Sequence, residues 1–235
     1  MKKRNILIIG SEGLIGKFLV KKLKKNFNCF EVDIKKISKQ NYFFCDLKKA
    51  GKFKKLLRNF KKKQIFAAIN LAYPFKSKNF IQDNPSTFER YINSHITSYY
   101  NFNKYLFDFL KNSKEKKIII NFSSIYGLKI PNFNIYKGTN IKMPIEYAIS
   151  KSAIIMMTRY FNKWSKYKKK NISFCSICPA GIESNQSAKF KKNYKRFYKK
   201  KMLNLDSIFL CVNKILNSSK IKLKENIIIT GGAKI

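Results

Sequence analysis

The chain has 235 residues, with 51 Lys and Arg against 12 Asp and Glu for a formal net charge of +39, and a single histidine. Its length suits one large hydrophobic core, and no Pro/Gly/Ser-rich stretch divides residues 1–235, so a single domain is expected. So basic a chain invites a nucleic-acid reading, but arginine occurs just five times (Arg4, Arg58, Arg90, Arg159, Arg196) and the lysines are scattered without a recognition motif, which favours a solvated lysine surface.

Short apolar runs at 5–9, 30–34, 42–45, 65–71, 117–122, 172–177 and 226–229 read as strands. Segments of helical period at 14–25, 48–60, 85–110, 145–167 and 205–216 alternate with them. This alternation is the signature of β-α-β units around a parallel sheet buried on both faces. The expected fold is therefore α/β, a single Rossmann-like, doubly wound parallel sheet flanked by helices. Two segments break the rhythm: 128–143, with Pro131 and Gly138, reads as an extended loop, and 184–203 is a basic, aromatic run. Both are expected at the carboxyl edge of the sheet, where such folds bind ligands.

After the first strand come Gly10, Ser11, Glu12, Gly13, Leu14, Ile15 and Gly16, at the opening of the first helix. Gly10 permits a tight turn, Gly13 leaves room for a pyrophosphate, and Gly16 lets helix pack on strand, with unpaired helix amides facing the phosphates. The bland alternative is an ordinary strand-to-helix turn. Asp33 ends the second strand, about 20 residues on, where a carboxylate accepts the adenosine ribose hydroxyls. It should repel a 2′-phosphate and favour NAD over NADP, although Lys35 and Lys36 follow at once and keep NADP open. Asp46 and Leu47 end the third strand near an adenine site, with a helix N-cap as the competing role for Asp46.

The strand at 117–122 delivers Ser123 and Ser124 to the sheet edge. Tyr147 and Lys151 then lie on one helix face at i,i+4 spacing. With 13 tyrosines and abundant lysine that spacing arises by chance, and it recurs at Tyr100 and Lys104. Tyr147 has the serines and the small residues Ala148, Ser150, Ser152 and Ala153 around it, whereas Tyr100 is flanked by Tyr99 and Phe102 and reads as packing. Hydride transfer at a carbonyl carbon needs proton movement at its oxygen, and a phenol near pKa 10 is poorly matched to neutral pH. A cation about 4 Å away is worth about 4 kcal/mol at an effective dielectric of 20, so Lys151, aided by oxidised nicotinamide, is expected to bring Tyr147 into working range. Ser124 would hold the substrate oxygen, with Ser123 as its rival for that role.

The cysteines (Cys29, Cys45, Cys175, Cys178, Cys211) are odd in number and form no disulfide framework, which suits a reducing cytoplasm. Cys175 and Cys178 form a lone C-x-x-C with no second pair, so buried strand thiols are expected and no metal site. No apolar run has membrane-spanning length, and 6–9 is too short for a signal-peptide core. These features place the protein in the cytoplasm, without a membrane partner.

The glycine turn, the strand-borne serines, the Tyr147/Lys151 helix, the Cys178-to-Ile182 segment and the terminal Gly231–Gly232 pair together resemble the short-chain dehydrogenase/reductase family, in order and over the whole chain. The resemblance implies a catalytic set of Asn93, Ser124, Tyr147 and Lys151, with Asn93 holding a relay water. It implies a cofactor set of Gly10, Ser11, Gly13, Leu14, Ile15, Gly16, Asp33, Asp46, Leu47, Asn70, Ala72, Tyr147, Lys151, Pro179 and Ile182, for NAD with NADP possible. His95 is expected to be a helix residue near the site. Tyr73 stands where the family has a glycine, which puts the local backbone path in doubt, and the interval from Ser124 to Tyr147 is long for the family, suggesting an enlarged loop over the substrate.

That interval is similar to a bacterial subgroup of surface-polysaccharide and flagellin-glycan biosynthesis, which implies a keto-sugar or sugar-nucleotide substrate. Lys189, Lys191, Lys192, Lys195, Lys199 and Lys200 would meet substrate phosphates or simply be solvated. The alternatives are a 3-oxoacyl-carrier-protein reductase and a dinucleotide-binding regulator without turnover. The family resemblance further implies a homodimer or homotetramer built on the 85–110 and 145–167 helices.

Overall fold

A computed structural model describes residues 3–60, 65–73, 80–81, 84–217 and 225–231. Seven parallel strands form one sheet: β1 (Arg4–Ile9), β2 (Phe27–Asp33), β3 (Tyr42–Phe44), β4 (Ile65–Asn70), β5 (Lys117–Phe122), β6 (Ile172–Pro179) and β7 (Asn226–Ile229). Their spatial order is β3-β2-β1-β4-β5-β6-β7. The order reverses between β1 and β4, so a crevice opens beyond their carboxyl ends. The α/β doubly wound fold expected from the alternating pattern is the one observed.

Side-chain alternation along the buried strands distributes the core over both faces. Ile6 and Ile8 join Leu19, Leu23, Ile208 and Val212, from α1 (Leu14–Leu23) and α6 (Leu205–Asn217), on one side. Leu7 and Ile9 join Phe53, Leu57, Phe102, Leu106 and Phe161 on the other, from α2 (Ala50–Arg58), α3 (Pro85–Leu110) and α4 (Ile145–Tyr167). A parallel sheet buried this way needs apolar residues at successive positions, which is why its strands read as continuous apolar runs. Cys175 and Cys178 are buried thiols on β6, as expected.

The basic, aromatic run 184–203 contains α5 (Ala188–Tyr198). Ser187 caps this helix by accepting the amide of Phe190 at 3.3 Å. Phe190, Tyr194 and Tyr198, at i, i+4 and i+8, form its buried face. They pack on Ile135 and Tyr136 from the 128–143 segment, whose residues Phe133–Tyr136 make a 3₁₀ turn. The two irregular segments thus build a small third core together, and the lysines of α5 turn outward. Gly231 has φ +60, and Gly232, its expected partner in the terminal pair, lies outside the described residues.

Candidate active site

The glycine turn closes tightly against β2 and β4. Gly10 has φ +76, and a side chain there would meet the Leu71 backbone at 2.9 Å. A Cβ on Gly16 would stand 2.1 Å from the Gly10 carbonyl oxygen, so helix α1 can lie on the turn only without one. Gly13 is the N-cap, with no side-chain cap, and the first amides of α1 therefore have no intrahelical acceptor. A cleft of about 640 Å³ opens in front of them. Its walls include Gly10, Gly13, Leu14, Ile15, Gly16, Asp33, Asp46, Leu47, Ala72 and Ile182, all members of the expected cofactor set, and also Glu12 and Tyr73.

Asp33 is held rigidly at the rim. Its Oδ2 accepts the Glu12 amide at 2.9 Å, and its Oδ1 accepts the amides of Ile34 at 2.8 Å and Lys35 at 3.2 Å. Asp46 is not an N-cap, since Lys49 occupies that position, and its Oδ1 instead accepts the Lys48 amide at 3.0 Å. Four expected cofactor residues, Ser11, Asn70, Pro179 and Lys151, are buried rather than on the cleft wall. Ser11 lies under the turn, its hydroxyl without a partner among the described residues. Asn70 uses Oδ1 to accept the Ala72 amide at 3.0 Å, fixing the path out of β4, and Pro179 ends β6.

Deeper in, β5 and α4 bring Ser124, Tyr147 and Lys151 together. The Tyr147 phenol is hydrogen-bonded with Ser124, yet burial dominates and pushes its pKa up to about 12. Burial also pulls the Lys151 ammonium down to about 8. Lys151 Nζ donates to the Phe122 carbonyl at 3.1 Å and lies 5.5 Å from the centre of the Tyr147 ring. Desolvation raises the phenol and lowers the amine, so at neutral pH a neutral tyrosine sits beside the ammonium with no ion pair formed. The two serines separate by role: Ser123 donates to the Lys151 carbonyl at 2.7 Å, tying β5 to α4, while Ser124 faces the phenol.

Asn93 does not join this group. It is exposed on α3 and lines a surface groove with Lys48, Ser86 and Arg90. Two residues along a helix turn the side chain through about 200°, and His95 occupies the inward position instead. It is fully buried, with its ring stacked on Tyr91 at 4.1 Å and 4.9 Å from that of Tyr73. Nδ1 lies 2.9 Å from the Tyr91 carbonyl, so it carries the proton. Nε2 is thus a bare acceptor with no partner among the described residues. Burial, with the Lys151 charge nearby, drives its pKa down to about 4, partly offset by the Tyr91 hydrogen bond.

Tyr73 places a second phenol at the site. Its oxygen is 2.8 Å from that of Tyr91, and its ring centre is 6.0 Å from that of Tyr147. Glu146, beside Tyr147 in sequence, is buried with neither carboxyl oxygen partnered among the described residues. Tyr73 was marked in the sequence only as a departure from the family's glycine, and Glu146, an acid at a helix start, carries no local signal of its own. Tyr100, read from sequence as packing, is instead 48% exposed, and Lys104 pairs with Asp108. A second groove of about 480 Å³, between the C-terminal ends of α3 and α4, is remote from Tyr147.

The sequence matches the short chain dehydrogenase family over residues 4–195. The chain belongs to that family. It is accordingly an oxidoreductase by descent. No curated protein matches the sequence. Among solved structures, this dehydrogenase is similar to a short chain dehydrogenase from Leptospira borgpetersenii serovar Hardjo-bovis with bound NAD+, at 25% identity and TM-score 0.86, covering 100% of this chain and 94% of that one. A 3-oxoacyl-[acyl-carrier protein] reductase with bound NAD from Brucella melitensis is 14% identical, with TM-score 0.80 and coverages of 100% and 92%. The aldohexose dehydrogenase of Thermoplasma acidophilum is 16% identical, with TM-score 0.77 and coverages of 98% and 94%. At these identities the last two speak to fold alone. Among the described residues no helix is long and apolar enough to cross a membrane.

Proposed function

We propose that residues 1–235 act as one unit, a dehydrogenase that uses NAD(H), with NADP(H) admitted less readily, to interconvert a ketone and a secondary alcohol. The observation that carries this reading is the continuity of one cleft from the glycine turn and Asp33 to Tyr73, which packs against Tyr147. The donor set fits a dinucleotide: a turn whose Gly10 and Gly16 leave no space for side chains, free helix amides for phosphates, and a fixed carboxylate for ribose hydroxyls. The similar Leptospira dehydrogenase with bound NAD+ points the same way.

When bound, nicotinamide supplies or accepts the hydride. In the reducing direction, Ser124 donates a hydrogen bond to the substrate carbonyl oxygen, and Tyr147 passes its phenolic proton to that oxygen as the carbon is reduced. The alcohol leaves, and the Lys151 ammonium holds the resulting phenolate until solvent restores its proton. Oxidation reverses these proton movements. Burial keeps the phenol protonated and ready to donate, and the Lys151 ammonium already in place stabilises the negative charge as it develops on the phenol oxygen. We assign to His95, rather than Asn93, the position flanking Lys151 on the inner side.

The substrate reading we favour is a keto-sugar or sugar-nucleotide of the surface-polysaccharide type, supported by the similarity of the interval from Ser124 to Tyr147 and by the packing of its Ile135 and Tyr136 with α5. A 3-oxoacyl chain on an acidic carrier is the second reading, favoured by the basic surface. We also propose a homodimer or homotetramer through α3 and α4, because α4 exposes Ile149, Met156, Tyr160 and Tyr167 along its length. A monomer by light scattering at micromolar concentration would exclude it.

Titration of NADH and NADPH, followed by nicotinamide fluorescence, tests the cofactor reading on the wild type and on Asp33→Ala and Gly13→Trp. Tighter NADH binding that weakens in both variants is expected, followed by Tyr147-dependent turnover in a keto-sugar screen. Absence of saturable binding of either dinucleotide would overturn the proposal.

A further inference from the structure

Beside Asp33, the rim of the cleft carries a charge cluster that the chemistry above does not use. Lys39 Nζ lies 2.9 Å from Glu12 Oε1 and 2.5 Å from Glu31 Oε2, bridging two acids whose side chains are almost wholly buried. Glu12 Oε2 is 3.2 Å from Lys17, and Glu31 Oε1 is 2.9 Å from Lys24. Lys39 also lies over the Tyr42 ring at 5.0 Å, and Tyr42 donates to the Lys35 carbonyl at 2.7 Å. Glu12 itself lines the cleft, and its amide is the donor that fixes Asp33. The Lys39 ammonium holds the Glu12 carboxyl below its ordinary range, so Glu12 is charged at neutral pH.

We propose that Glu12 and Lys39 form a cofactor-selecting pair, in which Glu12 excludes a 2′-phosphate from the ribose site and keeps Lys39 from neutralising one. This inference rests on the dinucleotide reading given above. A ribose bearing a free 2′-hydroxyl donates to Asp33 and meets no conflict. A 2′-phosphate would face the carboxylates of both Asp33 and Glu12, while the cation nearest Glu12 is already committed to two acids. Neutralising Glu12 removes one repulsion and leaves Lys39 held by Glu31 alone, free to turn toward the phosphate. Asp33 was legible in the sequence as the selecting residue; Glu12 adds a second carboxylate from the glycine turn itself.

The test is the ratio of NADPH to NADH dissociation constants by nicotinamide fluorescence, at fixed ionic strength, for wild type, Glu12→Gln, Lys39→Met, Lys35→Met and the two double variants that pair Glu12→Gln with each lysine change. Glu12→Gln is expected to tighten NADPH by about tenfold, the worth of one partly screened charge contact, with NADH affinity nearly unchanged. Adding Lys39→Met should abolish that gain, and adding Lys35→Met should not. Lys39→Met alone should weaken NADPH severalfold and spare NADH, which keeps the test open if Glu12→Gln does not fold. NADH binding with an unchanged ratio in Glu12→Gln, or a gain that depends on Lys35 instead of Lys39, overturns the pair while leaving the dehydrogenase reading intact. Failure of the wild type to bind either dinucleotide would overturn that reading first.

Discussion

Replacing Lys151 with methionine should make the protein more stable while removing its turnover. The ammonium is 6% exposed, and burial lowers its pKa from 10.5 to about 8. A lysine whose folded pKa lies below its unfolded one is a burden wherever the unfolded chain holds the proton more tightly. At 1.36 kcal/mol per pH unit the cost is about 3 kcal/mol, fully present below pH 8 and lost as pH rises toward 10.5. Against this, the variant loses the hydrogen bond to the Phe122 carbonyl, worth about 1 kcal/mol. Tyr99 still donates to that carbonyl at 3.0 Å, so no orphan acceptor remains. The net gain is about 2 kcal/mol at pH 7, or a rise in Tm of about 4–8 °C for a chain of this size. At pH 9.5 the electrostatic part falls to about 1.4 kcal/mol, and variant and wild type should nearly coincide. Thermal and urea unfolding at the two pH values measure this directly. A Lys151→Met protein no more stable than wild type at pH 7, or a difference that does not shrink at pH 9.5, would refute the argument that desolvation governs this residue.

The two serines should separate in the same kind of measurement. Ser123→Ala is expected to lose about 1 kcal/mol of stability with its bond to the Lys151 carbonyl, whereas Ser124→Ala should lower kcat by about 100-fold as a donor to the reacting oxygen is lost; equal effects on kcat would contradict the assignment. Asn93→Ala should leave NADH affinity and turnover within about twofold, as most exposed substitutions do, while His95→Ala lowers kcat by about tenfold or more, both read from steady-state kinetics. Gly16→Ala forces a Cβ against the Gly10 carbonyl oxygen, and about 3 kcal/mol of stability should go together with NADH binding. Unchanged NADH affinity there would mean that the turn does not hold the dinucleotide.

Most of the architecture was legible from the chain alone because it rests on local rules. Strands buried on both faces read as apolar runs, the glycine turn is recognised by its place between strand and helix, and α3, α4 and β5 have the bounds that their periodicity predicted. The same local rules brought Ser124, Tyr147 and Lys151 forward, since Ser124 lies just past the end of β5 and Tyr147 and Lys151 lie near the start of α4. Local pattern gave less at α5, where lysine density masked the i,i+4 aromatic spacing of Phe190, Tyr194 and Tyr198, which becomes a buried face only when Tyr136 comes to meet it.

Tertiary structure decided what depends on facing direction and on desolvation. Helix rotation put His95 inward and Asn93 in solvent, a distinction of two residues that sequence spacing resolves poorly when a whole segment is aromatic and polar by turns. Burial raises the Tyr147 phenol and lowers the Lys151 amine, because the dielectric around a side chain is set by everything packed on it. Glu12, beyond the end of β1, reaches Lys39, which also holds Glu31 on β2, because β1 and β2 are neighbours in the sheet. Charge can be counted in a sequence, but what a charge does is fixed by the partners and the solvent that the fold leaves it.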